Sequence, residues 1–476
     1  MSSSEQPQKL YAAQEPVFPK RVNGAFRNLK WIIMIVTLGI YYLTPWIRWD
    51  RGPSLPDQAV LLDLASRRFF FFWIEIWPHE FYFVAGLLIM AGLGLFLFTS
   101  ALGRVWCGYA CPQTVWTDLF YAVERWIEGD RNARLRLWKA KWTARKVRLR
   151  LTKWLAWFMI AVATGGAWVF YFTDAPTLAV NLVTLNAHPV AYTTIAILTA
   201  TTFLFGGFMR EQICVYMCPW PRIQAAMMDE DTITVAYREW RGEPRGKHRK
   251  AAGAENLGDC IDCMACVNVC PMGIDIRDGQ QLECITCALC IDACDEMMAK
   301  IGKPRGLIDY MALTDEASER AGNQKRSVWK HILRPRTILY TAMWAAIGVA
   351  LVVLLFIRSE IDVTVSPIRN PTYVVLSDGT IRNTYDLRLM NMQNEARDFE
   401  ITVTSEAALG VALEGSDGVT VTVPADSTRL QRVYVLSAPD DPAARAASTD
   451  LRFWIEDELS GTRSYQDTIF NGREGQ

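Results

Sequence analysis

The chain has no excess of charge of either sign: 50 Lys and Arg stand against 50 Asp and Glu. Nucleic-acid binders usually carry a basic excess, so a nucleic-acid partner is argued against. Histidine is scarce, with four residues in 476. All 12 cysteines lie between Cys107 and Cys294, and the 119 residues from Arg358 onward have none. That tail also has no Lys, and its charge is 11 basic against 19 acidic residues. A disulfide-stapled outer domain is thereby excluded. The first apolar run starts about 30 residues in and is followed by no small-x-small cleavage pattern, so it is not read as a signal peptide.

Long apolar runs are plentiful. Five hold no charge: Trp31–Ile47, Phe81–Leu102, Trp154–Phe172, Pro189–Met209 and Thr337–Ile357. Their lengths bracket the roughly 20 residues needed to cross a bilayer core. One such run can be a buried core helix; five predict a polytopic α-helical membrane protein with five spans. The mean hydropathy of +0.08 is too low for a wholly embedded chain and calls for soluble parts as well. Basic loops stay inside. The loop 104–153 carries 12 basic and 4 acidic residues, whereas Asp174–His188 has no Lys or Arg. This places residues 1–30 as a cytoplasmic tail. A four-span domain of two hairpins follows over 31–228, with an amphipathic basic loop at 104–153. Residues 229–334 are then cytoplasmic, 335–358 form the fifth span, and 359–476 lie outside. Cysteine placement agrees, since metal-binding thiols persist in a reducing compartment.

The strongest pattern is Cys260-x2-Cys263-x2-Cys266-x3-Cys270-Pro271, repeated as Cys284-x2-Cys287-x2-Cys290-x3-Cys294. This is the bacterial ferredoxin spacing. Close x2 spacing lets one turn wrap three corners of a cubane, while the fourth Cys points toward the other cluster. Two [4Fe-4S] clusters with crossed ligation are expected: Cys260, Cys263, Cys266 and Cys294 for one, and Cys284, Cys287, Cys290 and Cys270 for the other. Structural zinc lacks the third and fourth positions, and disulfides conflict with the compartment. Asp295 replaces the Pro expected after the second run, and only 13 residues link Cys270 to Cys284. Two clusters in one small domain make an electron wire. The polar segments 229–256 and 296–334 read as linkers that hold it to the membrane.

The second and fourth runs share an order: a His (His79, His188), the span, an Arg (Arg104, Arg210), then Cys-x3-Cys-Pro. The motifs are Cys107-Gly-Tyr-Ala-Cys111-Pro112 and Cys214-Val-Tyr-Met-Cys218-Pro219. At i, i+4 each pair shares a helix face, and the following Pro marks a helix end. Four thiols at one membrane face suit Cu(I), zinc or a further cluster; the plain alternative is small buried residues at helix ends. His79 and His188 are candidate metal ligands or interfacial hydrogen-bonders. His248 and His331 fall in polar segments and read as solvated. The loop 117–153, with Trp126, Trp138 and Trp142, predicts one or two helices on the inner membrane face.

From 361 to 470 short β-branched runs replace the spans: Ile361–Val365, Tyr373–Leu376, Asp386–Met390, Glu400–Val403, Val419–Val423 and Arg432–Leu436. Asp378-Gly379 is a hairpin signal. An all-β immunoglobulin-like sandwich is predicted. It shows no catalytic constellation and reads as a docking domain.

Taken in order, these parts resemble the FixG/CcoG-type cytochrome c oxidase accessory proteins, which are membrane polyferredoxins. The resemblance covers nearly the whole chain. It implies a bacterial inner-membrane protein with a periplasmic C-terminal domain. It further implies a role in assembling cbb3-type haem–copper oxidase by reducing Cu(II) to Cu(I), a cupric reductase activity. The four membrane Cys then become candidates for the copper or redox site. The partners implied are oxidase assembly factors or a copper transporter, with the electron donor unnamed. A quinol-linked electron conduit and a redox-sensing scaffold are the other classes that remain open.

Overall fold

The computed structural model describes residues 16–52, 55–246, 257–323, 326–358, 361–393, 395–416 and 418–473. The chain divides into two compact units: residues 1–48 with 58–351, and residues 49–57 with 352–476.

Among the described residues of the first unit, nine α-helices lead up to the cluster domain. They are α1 (Ala25–Leu43), α2 (Tyr82–Leu102), α3 (Val105–Tyr109), α4 (Pro112–Glu128), α5 (Arg131–Lys139), α6 (Ala144–Val169), α7 (Ala175–Val183), α8 (Pro189–Leu204) and α9 (Trp220–Met227). Among the described residues, four segments are long and apolar enough to cross a membrane: Ala25–Trp46, Pro78–Leu102, Pro189–Met209 and Pro335–Ile357. The expected span over Trp154–Phe172 is not among them. It lies in α6, whose first ten residues carry Arg145, Lys146, Arg148, Arg150 and Lys153. Only 16 residues, Trp154–Val169, remain before the helix ends. α6 runs antiparallel to α8. Trp157 stacks on Phe120 at 5.4 Å and meets Phe208 edge-on, while Thr199 bonds to the Ala161 carbonyl.

The loop after α2 folds inward more than its basic composition suggests. α4 buries Asp118, Glu124 and Glu128. Glu124 is ringed by Arg134 (2.8 Å), Lys153 (3.1 Å) and Arg210 (2.7 Å), all on other elements. Burial pushes its carboxyl up, but Arg210, Lys153 and Arg134 together outweigh burial and hold it at about 2. Trp126, Trp138 and Trp142 remain exposed, as a surface-lying pair of helices requires. A three-stranded antiparallel sheet, β1 (Val60–Asp63), β2 (Arg68–Phe71) and β3 (Ile74–Ile76), occupies the loop before α2, where no strand was expected.

Described parts of the segments read as linkers pack into the cluster domain. β4 (Thr234–Tyr237) pairs antiparallel with β5 (Ile308–Met311), closing the domain's two ends on each other. Val235, Leu307 and Ile308 join Cys260, Cys266 and Cys294 in one core. Short-range polarity hid this, because the strand pair spans 70 residues of chain. His331 is likewise not solvated: it is buried, and its Nε2 lies 2.7 Å from the Asp315 carboxylate. His248 lies outside the described residues.

The second unit is a sandwich. Its strands are β6 (Ile361–Pro367), β7 (Val374–Val375), β8 (Ile381–Asn391), β9 (Arg397–Ser405), β10 (Leu409–Leu413), β11 (Thr420–Val423), β12 (Ser427–Ser437), β13 (Thr449–Asp457) and β14 (Arg463–Phe470). One sheet has the order β10-β12-β8-β6, with β7 on β8; the other has β11-β9-β13-β14. Alternating residues fill the core between them, among them Leu387, Leu389, Ile401, Val433 and Phe453. The Asp378-Gly379 hairpin joins β7 to β8, with Gly379 at φ 86°.

Candidate metal centres

The two ferredoxin motifs adopt matching backbones. Asp262 and Met264 flank Cys263 at φ 52° and 57°; Thr286 and Ala288 flank Cys287 at 55° and 59°. Left-handed backbone at a non-glycine residue costs roughly 1 to 2 kcal/mol, so four such residues at equivalent places need a purpose. Left-handed turns aim successive N–H groups into one concavity, the arrangement that receives anionic centres such as iron–sulfur clusters. A four-iron cubane with four thiolates is such a centre, and the residues fit it.

The thiols act on one another across the two runs. Burial first, then Cys266, Asp295, Cys263 and Cys260, push Cys294 up to about 12. Burial first, then Cys287 and Cys284 among its neighbours, push Cys270 up to about 12. The fourth Cys of each run therefore sits with the other run's first three, as crossed ligation requires. Cys266 also acts on Cys290, so the two sets adjoin. Among the described residues no group of three or more His, Cys, Asp or Glu is tight enough to hold a single metal ion. Cys270 ends the short helix Ala265–Val269, whereas Cys294 lies inside Leu289–Lys300. That helix continues past Cys294, which is why Asp295 replaces Pro; its Oδ1 accepts from the Gly306 N–H at 2.8 Å.

The membrane cysteines differ from the expected i, i+4 pairs. α3 ends at Tyr109, and Cys111 is extended (φ −59°, ψ 129°), capping α4 with Pro112 in its first turn. In the second copy Cys214 sits in a wide π-type turn, Ile213–Met217, and Cys218 is again extended (−78°, 124°). The Pro opens the next segment in each copy, so the two thiols of a pair lie on different elements. The repeat register also shifts by one. Gly103 (φ 62°) and Arg210 (φ 42°) occupy the equivalent turn, and Arg104 corresponds to Glu211. Arg210 is held in that conformation by its Nε bond to the Gly207 carbonyl and its ion pair with Glu124.

The two pairs do come together. Burial first, then Cys111, Cys107 and Cys218, push Cys214 up to about 12. Burial raises Cys107 too, with Arg104 opposing; its Sγ lies 3.1 Å from Gln224 Oε1. His79 and His188 stay apart from this cluster. Both are exposed, and the ring Nδ1 of His188 accepts from the Val190 N–H, capping α8.

Sequence reasoning passed over the residues that join the membrane motif to the cluster domain. Tyr109 Oη donates to the Cys287 carbonyl at 3.1 Å. Arg104, buried, donates to the Leu282 carbonyl. Cys107 packs beside Ile285 and Cys287. The signal was the contrast between Gly108/Ala110 in one copy and Val215/Met217 in the other.

Known protein families match these segments. The family described as "4Fe-4S dicluster domain" matches residues 209–313, and that described as "4Fe-4S binding domain" matches 83–133. The family described as "IG-like fold at C-terminal of FixG" matches 351–473. Protein RdxB of Cereibacter sphaeroides is 71% identical over 99% of both chains. Protein RdxA of the same organism is 64% identical over 94% of this chain and 95% of its own. Nitrogen fixation protein FixG of Rhizobium meliloti is 54% identical over 97% of this chain and 94% of its own. A solved FixG-related protein from Vibrio parahaemolyticus covers 24% of this chain and 99% of its own, at 16% identity and TM-score 0.22.

Proposed function

Because this chain belongs to the FixG family, a group of membrane iron–sulfur electron-transfer proteins, we propose that it reduces Cu(II) to Cu(I) during assembly of a cbb3-type oxidase. One observation carries the reading: Cys107, Cys111, Cys214 and Cys218 act on one another, and Cys107 packs against the core that holds Cys287, a candidate ligand of the ferredoxin domain. Soft thiolates favour Cu(I) over Cu(II), so electrons arriving at that end of the domain meet the ligands their product prefers. The four thiols must close around the ion to bind it. The cluster held by each ferredoxin set supplies single electrons at a potential set by its surroundings.

The same reading makes α6 a fifth span. Its apolar part, Trp154–Val169, rises about 24 Å against a core of about 30 Å, which places the basic first turns at the inner headgroup level, and it packs along α8, itself a candidate span. The N-terminus and clusters are then cytoplasmic, and the sandwich is periplasmic in a bacterial inner membrane. A copper transporter or oxidase assembly factor takes the product. The test is Cu(I) formation, read with a colorimetric Cu(I) chelator after chemical reduction of the clusters. Wild type should form Cu(I), and Cys107→Ala/Cys214→Ala should lose the activity with clusters intact. No reduction by wild type would remove the proposal.

A second reading concerns the electron source. An open cleft of about 630 Å³ is lined by Phe18, Trp138, Trp142, Trp154, Trp157 and Arg210. Aromatic walls with a few polar groups at a membrane face suit a quinol head group, which would make the chain a quinol-linked conduit.

A further inference from the structure

Gly108, between Cys107 and Tyr109, leaves no room for a side chain. A Cβ there would stand 2.5 Å from the Ile285 carbonyl oxygen and 3.1 Å from the Cys287 N and Cα. The membrane motif and the second cluster loop thus meet backbone to backbone. Two hydrogen bonds flank the contact, from Tyr109 Oη to the Cys287 carbonyl and from Arg104 to the Leu282 carbonyl. Tyr310, from β5, donates to the Thr286 carbonyl from the other side. All these contacts fall on residues 282–287.

The first cluster loop is turned elsewhere. Cys263 is exposed, and its neighbours Asp262 and Met264 are braced by Arg277 of the same domain. The second membrane motif offers no equivalent seat. Its positions matching Gly108 and Ala110 hold Val215 and Met217, and both Tyr216 and Met217 are exposed.

We propose that Gly108 is the seat of an ordered relay, in which electrons leave the ferredoxin domain only through the set Cys270, Cys284, Cys287 and Cys290, and enter through the set containing Cys263. This rests on the reading that the membrane thiols receive the electrons. Cys270, Cys284, Cys287 and Cys290 would hold the centre that gives one electron to one Cu(II), which becomes Cu(I), and an external low-potential one-electron reductant would replace that electron through the set containing Cys263; no bond or proton moves. Gly108, Tyr109 and Arg104 are positioning residues that hold the two backbones together.

The experiment uses the purified full chain, reduced with dithionite and freed of excess, in wild type, Gly108→Val, Gly108→Ala, Cys294→Ser and Cys284→Ser. The readouts are iron content, the electron-paramagnetic signal of each reduced cluster, hydrogen exchange of residues 282–290, and reoxidation by Cu(II) in stopped flow. Gly108→Val should keep its iron and both signals, lose protection over 282–290, and reoxidise about tenfold or more slowly, with Gly108→Ala between. Cys294→Ser should reoxidise its remaining cluster at the wild-type rate, and Cys284→Ser should not. Equal rates in the two single-cluster variants overturn the order. Unchanged exchange protection in Gly108→Val overturns the seat. A wild type that Cu(II) does not reoxidise counts against the copper reading, and the exchange measurement still decides the seat by itself.

Discussion

The carboxylate of Asp292 caps the helix that begins beside Arg27. Its Oδ2 accepts from the Arg27 N–H at 2.8 Å and its Oδ1 from the Phe26 N–H at 3.3 Å. The first turn of α1 has no capping side chain of its own, because Gly24 holds the cap position. A residue of the second cluster motif, 265 positions away, supplies the missing acceptor. A Cβ on Gly24 would fall 2.2 Å from the Asp292 Cγ, so glycine is what lets the carboxylate in. The first span and the cluster domain are therefore joined through a helix cap.

Removing that cap should be measurable. Asp292→Ala should destabilise the chain by about 1 kcal/mol, the usual worth of a lost N-cap. The check is thermal unfolding in detergent followed by the cluster absorbance. Asp292→Asn, which can still accept, should recover most of the loss.

The ring around Glu124 gives a second expectation. Glu124→Gln leaves Arg134, Lys153 and Arg210 buried without their shared counter-charge, and should cost about 3 to 5 kcal/mol. The wild-type carboxyl is held at about 2, below its ordinary value of 4.5. Its unfolded form takes up a proton first as pH falls. Its contribution is thus fully present above about pH 4.5 and is lost between there and about pH 2. Unfolding temperature against pH in wild type and Glu124→Gln should converge over that window.

The proposed crossed ligation would make Cys270 a ligand of the cluster that Cys284, Cys287 and Cys290 hold. Cys270→Ala should lower the iron content from about eight toward about four per chain. The cluster lost should be the one that Cys287→Ala also removes, seen as the same missing electron-paramagnetic signal. Two different signals lost in the two variants would contradict the crossing.

Topology is decided by α6. With five spans, an export-dependent phosphatase fused after Gln476 is active and a cytoplasm-only reporter there is silent. The opposite result would leave α6 on one side of the membrane and the chain with four spans.

Ligand spacing is local chemistry, so a domain for two four-iron clusters was legible in the sequence. The spans beginning at Phe81, Pro189 and Thr337 were legible for the same reason, since a bilayer reads only length and composition. The short β-branched runs of the tail likewise announced its sandwich, although β10, β13 and β14 escaped notice among polar neighbours. Other features depend on what the chain meets across long separations. Composition gave His331 to solvent, and only folding brings Asp315 to it. The run Trp154–Phe172 looked like a free span, but the helix that contains it begins in the basic stretch before Trp154 and stops at Val169. The i, i+4 spacing of Cys107 and Cys111 assumed one continuous helix, and the chain turns between them to begin α4. Gly108 is the clearest case. Nothing local requires glycine there, and the requirement comes from the backbone at Ile285 and Cys287, which approaches too closely for any Cβ.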